Sequence, residues 1–314
     1  MSRIRLGLVL LMLLAGCAGP ATPGPTPGAP PPAPDRTPTR TASPPALAKP
    51  TARPPASPTD SIASTPRPIA SLAAVGTPAP VLSAPLITRT AHLDIYRIEG
   101  GLRVATLLEL APAFEQAIAR VGERIGARLN GRVAISFEPP QAGPCALRGM
   151  TLSHDRVIHL YYAPDTPGRR ILPIVAHELG HQLQHDYYGW DAHRRADTIL
   201  LEGEATWASG DYAAGAGSRP AWASEAERAL AEGRLLALTA DLEQDCRTTT
   251  RNTAYTGWAS FVAFLLATYG RERFDALYRS GRGHTPGSAD YDKIYGKSLA
   301  TLDQEWRKWL ADDR

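Results

Sequence analysis

The segment Ile174-Val175-Ala176-His177-Glu178-Leu179-Gly180-His181 decides how this chain is read. Four residues are slightly more than one helical turn, so His177 and His181 project one above the other from a single face. That spacing lets two imidazoles share one tetrahedral zinc ion, while Glu178 reaches a water beside it. Ile174, Val175 and Leu179 supply the apolar contacts that seat such a helix. Pro173 is tolerated in a first turn, so the helix is expected to begin near Leu172 and to stop at Gly189.

Moving toward the C-terminus, the next informative segment is Ile199-Leu200-Leu201-Glu202-Gly203-Glu204-Ala205-Thr206-Trp207, with twenty residues between His181 and Glu202. Catalytic zinc sites commonly take three protein ligands and leave a fourth position for water, and two His with one Glu is one such set. Glu202, on a second helix after a reversal at Gly189, can complete that set. Glu204 competes for the role. Residues two apart on a helix lie on different faces, so both cannot point at one ion. His185 lies a further turn along, about 6 Å away on the axis, which is too far for the same ion. His154, His159, His193 and His284 receive no role.

HELGH followed by LLEGEATW resembles the gluzincin metallopeptidases, the clan of thermolysin and aminopeptidase N, and is most similar to the bacterial group described as peptidase MA-like. The resemblance extends to Tyr255-Thr256-Gly257-Trp258-Ala259-Ser260-Phe261-Val262 and to Tyr295-Gly296-Lys297-Ser298-Leu299 with Glu305-Trp306. It implies that Glu202 is the third ligand of one Zn2+ per chain and that Glu178 is the catalytic base. It further implies that Tyr255, at the start of a following helix, donates to the oxyanion. The implied fold is zincin-like: a small, mostly antiparallel sheet above the zinc helix and a helical lobe below, with an edge strand, placed at Arg156 to Tyr162, that pairs with substrate. A third histidine of metzincin type would stand at Tyr187, so that clan is excluded. Aminopeptidases of the group carry Gly-x-Met-Glu-Asn ahead of the zinc helix. Gly149-Met150-Thr151-Leu152 stands there without the Glu-Asn pair, which favours an endopeptidase over an aminopeptidase. Thr206 replaces the acidic residue that thermolysin has four positions after its third ligand, so the outer support of the histidines is open. A zinc-stabilised, non-catalytic binding module is the alternative; an intact Glu178 favours catalysis.

The remaining pattern predicts an α+β domain from residue 86 to 314, with strands first and helices after. His92 to Ile98 alternates apolar and polar residues before Gly100-Gly101, and Arg132 to Phe137 and Arg156 to Tyr162 are rich in β-formers. Val104 to Leu129 has helical periodicity. Further helices are predicted near 171–188, 197–209, 221–237, 254–269, 271–280 and 298–311.

The N-terminal part has a different composition. Arg3 and Arg5 precede the apolar run Leu6 to Leu14 and then Ala15-Gly16-Cys17, which reads as a signal peptide over residues 1–16. Its end resembles the lipobox of bacterial lipoproteins. That resemblance implies lipidation of Cys17 and attachment to the extracytoplasmic or periplasmic face of a membrane. Residues 17–85 hold 20 of the 29 prolines and form a tether with too little apolar bulk for a core. Residues 1–85 also hold seven basic and two acidic residues, leaving 27 basic and 29 acidic for the rest. The net charge of +3 therefore belongs to the leader and tether, and nucleic acid is not an expected partner. The expected partner is a polypeptide substrate, and the domain is expected to be monomeric. Cys145 and Cys246 form an even pair, able to join in a disulfide outside the cytoplasm, with two free thiols as the alternative.

Overall fold

The computed structural model describes residues 79–312, apart from 144, 211, 213–219, 241 and 243–247. The expected signal peptide, Cys17, most of the tether and Cys246 lie outside the described residues. The domain is α+β, as expected. Five strands form one sheet: β1 (Leu86–Arg89), β2 (Leu93–Arg97), β3 (Val133–Glu138), β4 (Gly149–Leu152) and β5 (Val157–Tyr161). Nine helices occur among the described residues. They are α1 (Val104–Ile125), α2 (Gly168–Tyr188), α3 (Trp190–His193), α4 (Thr198–Ser209), α5 (Ala221–Ala231), α6 (Thr248–Tyr269), α7 (Arg271–Arg279), α8 (Tyr291–Tyr295) and α9 (Leu299–Asp312).

The sheet order is β1-β2-β3-β5-β4, and the sheet is mixed where a mostly antiparallel one was expected. β1 pairs antiparallel with β2 and β4 antiparallel with β5, but both central pairs, β2 with β3 and β3 with β5, are parallel. The cause is the connection. All 22 residues of α1 lie between β2 and β3, and a crossover of that length returns the chain in the same direction. The segment Arg156 to Tyr162 is likewise corrected from edge to interior, because β5 is inserted between β3 and β4. The edge strands are β1 and β4.

Helix limits also shift. α2 starts at Gly168, so Pro173 stands in its second turn, where its missing N–H leaves the Arg169 carbonyl without the usual partner. α5 ends at Ala231, and Gly233 follows with φ 67°, a left-handed residue that the expected helix to 237 ran through. α6 begins six residues before the expected 254. No helix among the described residues is long and apolar enough to cross a membrane.

Two apolar cores meet across α2 and α4. One packs the sheet against α1 and one side of α2, through Leu93, Ile95, Phe114, Val121, Ile135, Ile158, Val175 and Leu179. The other joins α4, α6, α7 and α9 through Leu200, Trp258, Phe261, Leu265, Tyr278 and Trp306. Ala79 packs beside Tyr96, Ala134 and Val157, so chain ahead of residue 86 already lies on the sheet.

Candidate metal centre

The two central helices approach closely because glycines stand where they cross. A Cβ on Gly180 of α2 would lie 3.3 Å from Ala205 of α4, and one on Gly203 of α4 would lie 2.8 Å from the Trp258 carbonyl of α6. Both glycines belong to the segments that carry the expected ligands, so the same residues that name the motifs set the helix spacing. Asp197 starts α4 as its cap, accepting from Ile199 N at 2.9 Å, and also accepts from Gly287 N, Ala289 N and the Tyr291 hydroxyl.

This packing brings His177, His181 and Glu202 together in full burial. The two imidazole Nε2 atoms are 3.0 Å apart, and Glu202 Oε2 lies 3.3 Å from His177 Nε2 and 3.5 Å from His181 Nε2. A point about 2 Å from all three donors therefore exists, which matches the nitrogen and oxygen distances of a divalent metal centre. The chemistry of the donors agrees. Two ring nitrogens this close repel unless a proton or a cation lies between them, and Glu202 Oε2 is buried with no hydrogen-bond partner. The residues present fit a metal ion.

Electrostatics follow from burial and from the two carboxylates. Burial holds the His177 pKa below its ordinary value. Burial would lower that of His181 too, but Glu202 and Glu178 outweigh it and raise the value. Burial alone would raise Glu202, yet the charge of His181 and the close approach of both imidazoles pull it down to about 2. Glu202 is thus an anion held between two rings.

Glu178 stands apart from the ligands. Burial pushes it up to about 7, against the pull of His181 and of the Thr151 hydroxyl. Thr151 of β4 donates to Glu178 Oε2 at 2.6 Å, and Oε1 is buried with no partner. Gly149, two residues back on the same strand, presses its bare Cα against that carboxylate. The edge strand thus holds Glu178 by one oxygen and leaves the other without a hydrogen-bond partner.

Tyr255 is buried in the second turn of α6, not at the helix start. Its ring centroid is 6.0 Å from that of His177. Burial raises its pKa well above the ordinary value, helped by the charge of Glu202 and a hydrogen bond to it. Glu204 faces away, toward Gln184, Tyr188 and Arg271, so the helix geometry selects Glu202.

The outer support of the histidines, open from the sequence, is neutral. Thr206 Oγ1 lies 3.3 Å from His177 Nδ1, at the position four residues after Glu202. Gln184 Oε1 lies 3.0 Å from His181 Nδ1. Gln184 had a local signal, since residues three apart on a helix are neighbours; Thr151 and Gly149 had none. His193, set aside earlier, bridges Ser153 Oγ and the Tyr278 hydroxyl at 3.1 Å each, tying the end of β4 to α7. Cys145 is disulfide-bonded. No protein-family model matches this chain, and no curated protein matches it.

Proposed function

We propose that the chain is a zinc-dependent peptidase of gluzincin type that cleaves polypeptides internally, held at a membrane surface by a lipid on Cys17 and the proline-rich tether. The observation that carries this reading is the pairing of a buried His177/His181/Glu202 group with a separate carboxylate, Glu178, gripped by an edge strand. A structural metal clip has no use for such a base.

A bound Zn2+ supplies Lewis acidity, the chemistry that makes water nucleophilic near neutral pH and polarises an acyl carbonyl. Glu178 Oε1, which has no hydrogen-bond partner, takes the proton of the attacking water and later delivers it to the leaving amine. Burial, which raises the affinity of Glu178 for a proton, suits a group that must accept one from water. Tyr255 donates its hydroxyl to the oxyanion that develops on the scissile carbonyl. The outer edge of β4 pairs with no strand among the described residues, so an extended substrate adds there as a further strand. β4 carries no acidic side chain to hold a free α-amine, which favours endopeptidase action.

The test is cleavage of an unstructured protein by the purified chain, beside Glu178→Gln. Internal cuts are expected, lost with chelator and restored by Zn2+. The variant keeps the metal and loses about 10²- to 10⁴-fold in rate. Trimming from N-termini alone would indicate an aminopeptidase. One bound zinc per chain without any cleavage would indicate a binding module.

A further inference from the structure

Glu204 shares its helix with the ligand Glu202 and is fully buried, yet it takes no part in the chemistry proposed above. Its contacts assign it a different task. Glu204 Oε1 accepts from Arg271 Nη1 at 2.5 Å and from the Tyr188 hydroxyl at 3.2 Å, while Oε2 accepts from Gln184 Nε2 at 3.2 Å. The same Gln184 nitrogen donates to the Leu201 carbonyl at 2.9 Å.

Both partners of that nitrogen are acceptors only, so the Gln184 amide cannot be turned over without setting its oxygen against a carbonyl and a carboxylate. Gln184 Oε1 must then face His181 Nδ1, 3.0 Å away, and must receive a proton from it. That places the hydrogen of neutral His181 on Nδ1 and leaves the Nε2 lone pair turned toward His177 and Glu202. Thr206, beside His177 Nδ1, imposes no such choice, because a hydroxyl can give or take a proton.

We infer that Glu204, Gln184 and His181 form a relay in which a buried carboxylate, acting through an amide, fixes the ring tautomer that His181 offers to the metal. Gln184 and Glu204 are positioning residues, and the inference rests on the reading of His177, His181 and Glu202 as a metal centre. The relay also ties α2 to α4 at the turn after the second histidine. A carboxylate usually orients a ligating imidazole directly; here a neutral amide stands between them.

The experiment measures Zn2+ affinity by competition with a chromophoric chelator, on the full chain and on variants whose circular dichroism matches it. Gln184→Leu is expected to bind zinc about 10- to 100-fold more weakly. Wild-type affinity in a folded Gln184→Leu, beside loss of binding in His181→Ala, overturns the relay alone. No zinc bound by the parent chain overturns the metal centre, and the relay with it. Should Gln184→Leu not fold, the ¹⁵N ring signals of His181 in the metal-free parent decide: a protonated Nδ1 is expected, and a protonated Nε2 overturns the relay.

Discussion

A methyl group at position 149 would sit 2.8 Å from the carboxyl carbon of Glu178 and would overlap one of its oxygens. Either β4 or the carboxylate must move to admit it, and displacement of a reacting group by about 1 Å costs about 10²-fold in rate. Gly149→Ala is therefore expected to lose at least about 10²-fold in peptide cleavage with metal stoichiometry unchanged, read by turnover beside zinc analysis. An unaltered rate would remove β4 from the account of Glu178. Tyr255→Phe tests the other side of the site: kcat should fall about 10²-fold with little change in KM. At this scale the sequence was informative where chemistry is local. His177, Glu178 and His181 lie within five residues, and helical geometry alone aligns the two rings. Glu202 against Glu204 needed one more fact, the rotation of α4, which the structure supplies. Thr151 and Gly149 were not legible as supports, because their contact with Glu178 is made between a strand and a helix, with Thr151 27 residues from Glu178 in the chain.

Among elements, helices were legible and strand pairing was not. Apolar periodicity and glycine stops located α1, α2, α4, α7 and α9 to within a few residues, since a helix is specified by its own sequence. β1 and β4 have four residues each, too short for an alternation to stand out, and the parallel pairs β2–β3 and β3–β5 join strands that are not neighbours along the chain or are separated by a helix. The end of α2 shows how such separate elements are joined. Asp186 lies in the last turn, where a negative charge opposes the helix dipole. It accepts from Asn130 N at 2.7 Å, Arg156 Nη1 at 2.8 Å and Gln182 Nε2 at 3.1 Å, which fastens α2 to the turn before β3 and to the β4–β5 turn. Burial would raise its pKa, but the His185, Arg156 and Asn130 hydrogen bonds hold it at about 2, below the ordinary 3.8. The unfolded chain therefore binds the proton more readily. The stabilisation is complete above pH ~4 and is lost as pH falls through about 2. Asp186→Asn should cost about 1–3 kcal/mol at pH 7 and flatten the dependence of stability on pH between about 4 and 2, measured by denaturant unfolding at several pH values. A variant with the same acid slope as the parent would show that other carboxylates set it.

At the scale of the whole molecule, the site lies where the sheet core and the helical core meet, so its donors are only as well placed as the packing of the two cores. A covalent link between distant parts of the chain would limit how far the unfolded chain can spread. Cys145 is disulfide-bonded, and Cys17 and Cys246 are the other cysteines of the chain. If Cys17 carries lipid its sulfur is occupied, which leaves Cys246 as the partner. The loop so closed would run from 145 to 246 and enclose His177, Glu178, His181 and Glu202. Closing a loop of ~100 residues is worth about 4–5 kcal/mol in the chain-entropy account, and removal of such links typically costs about 2–5 kcal/mol. Two consequences are then coupled. Peptide mapping without reductant should yield one cross-linked pair, Cys145 with Cys246, and a separate N-terminal peptide bearing lipid on Cys17. Reduction should lower unfolding stability by about 2–5 kcal/mol. A Cys145–Cys17 peptide would overturn both at once, since the sulfur that closes such a bond cannot also hold the chain at a membrane.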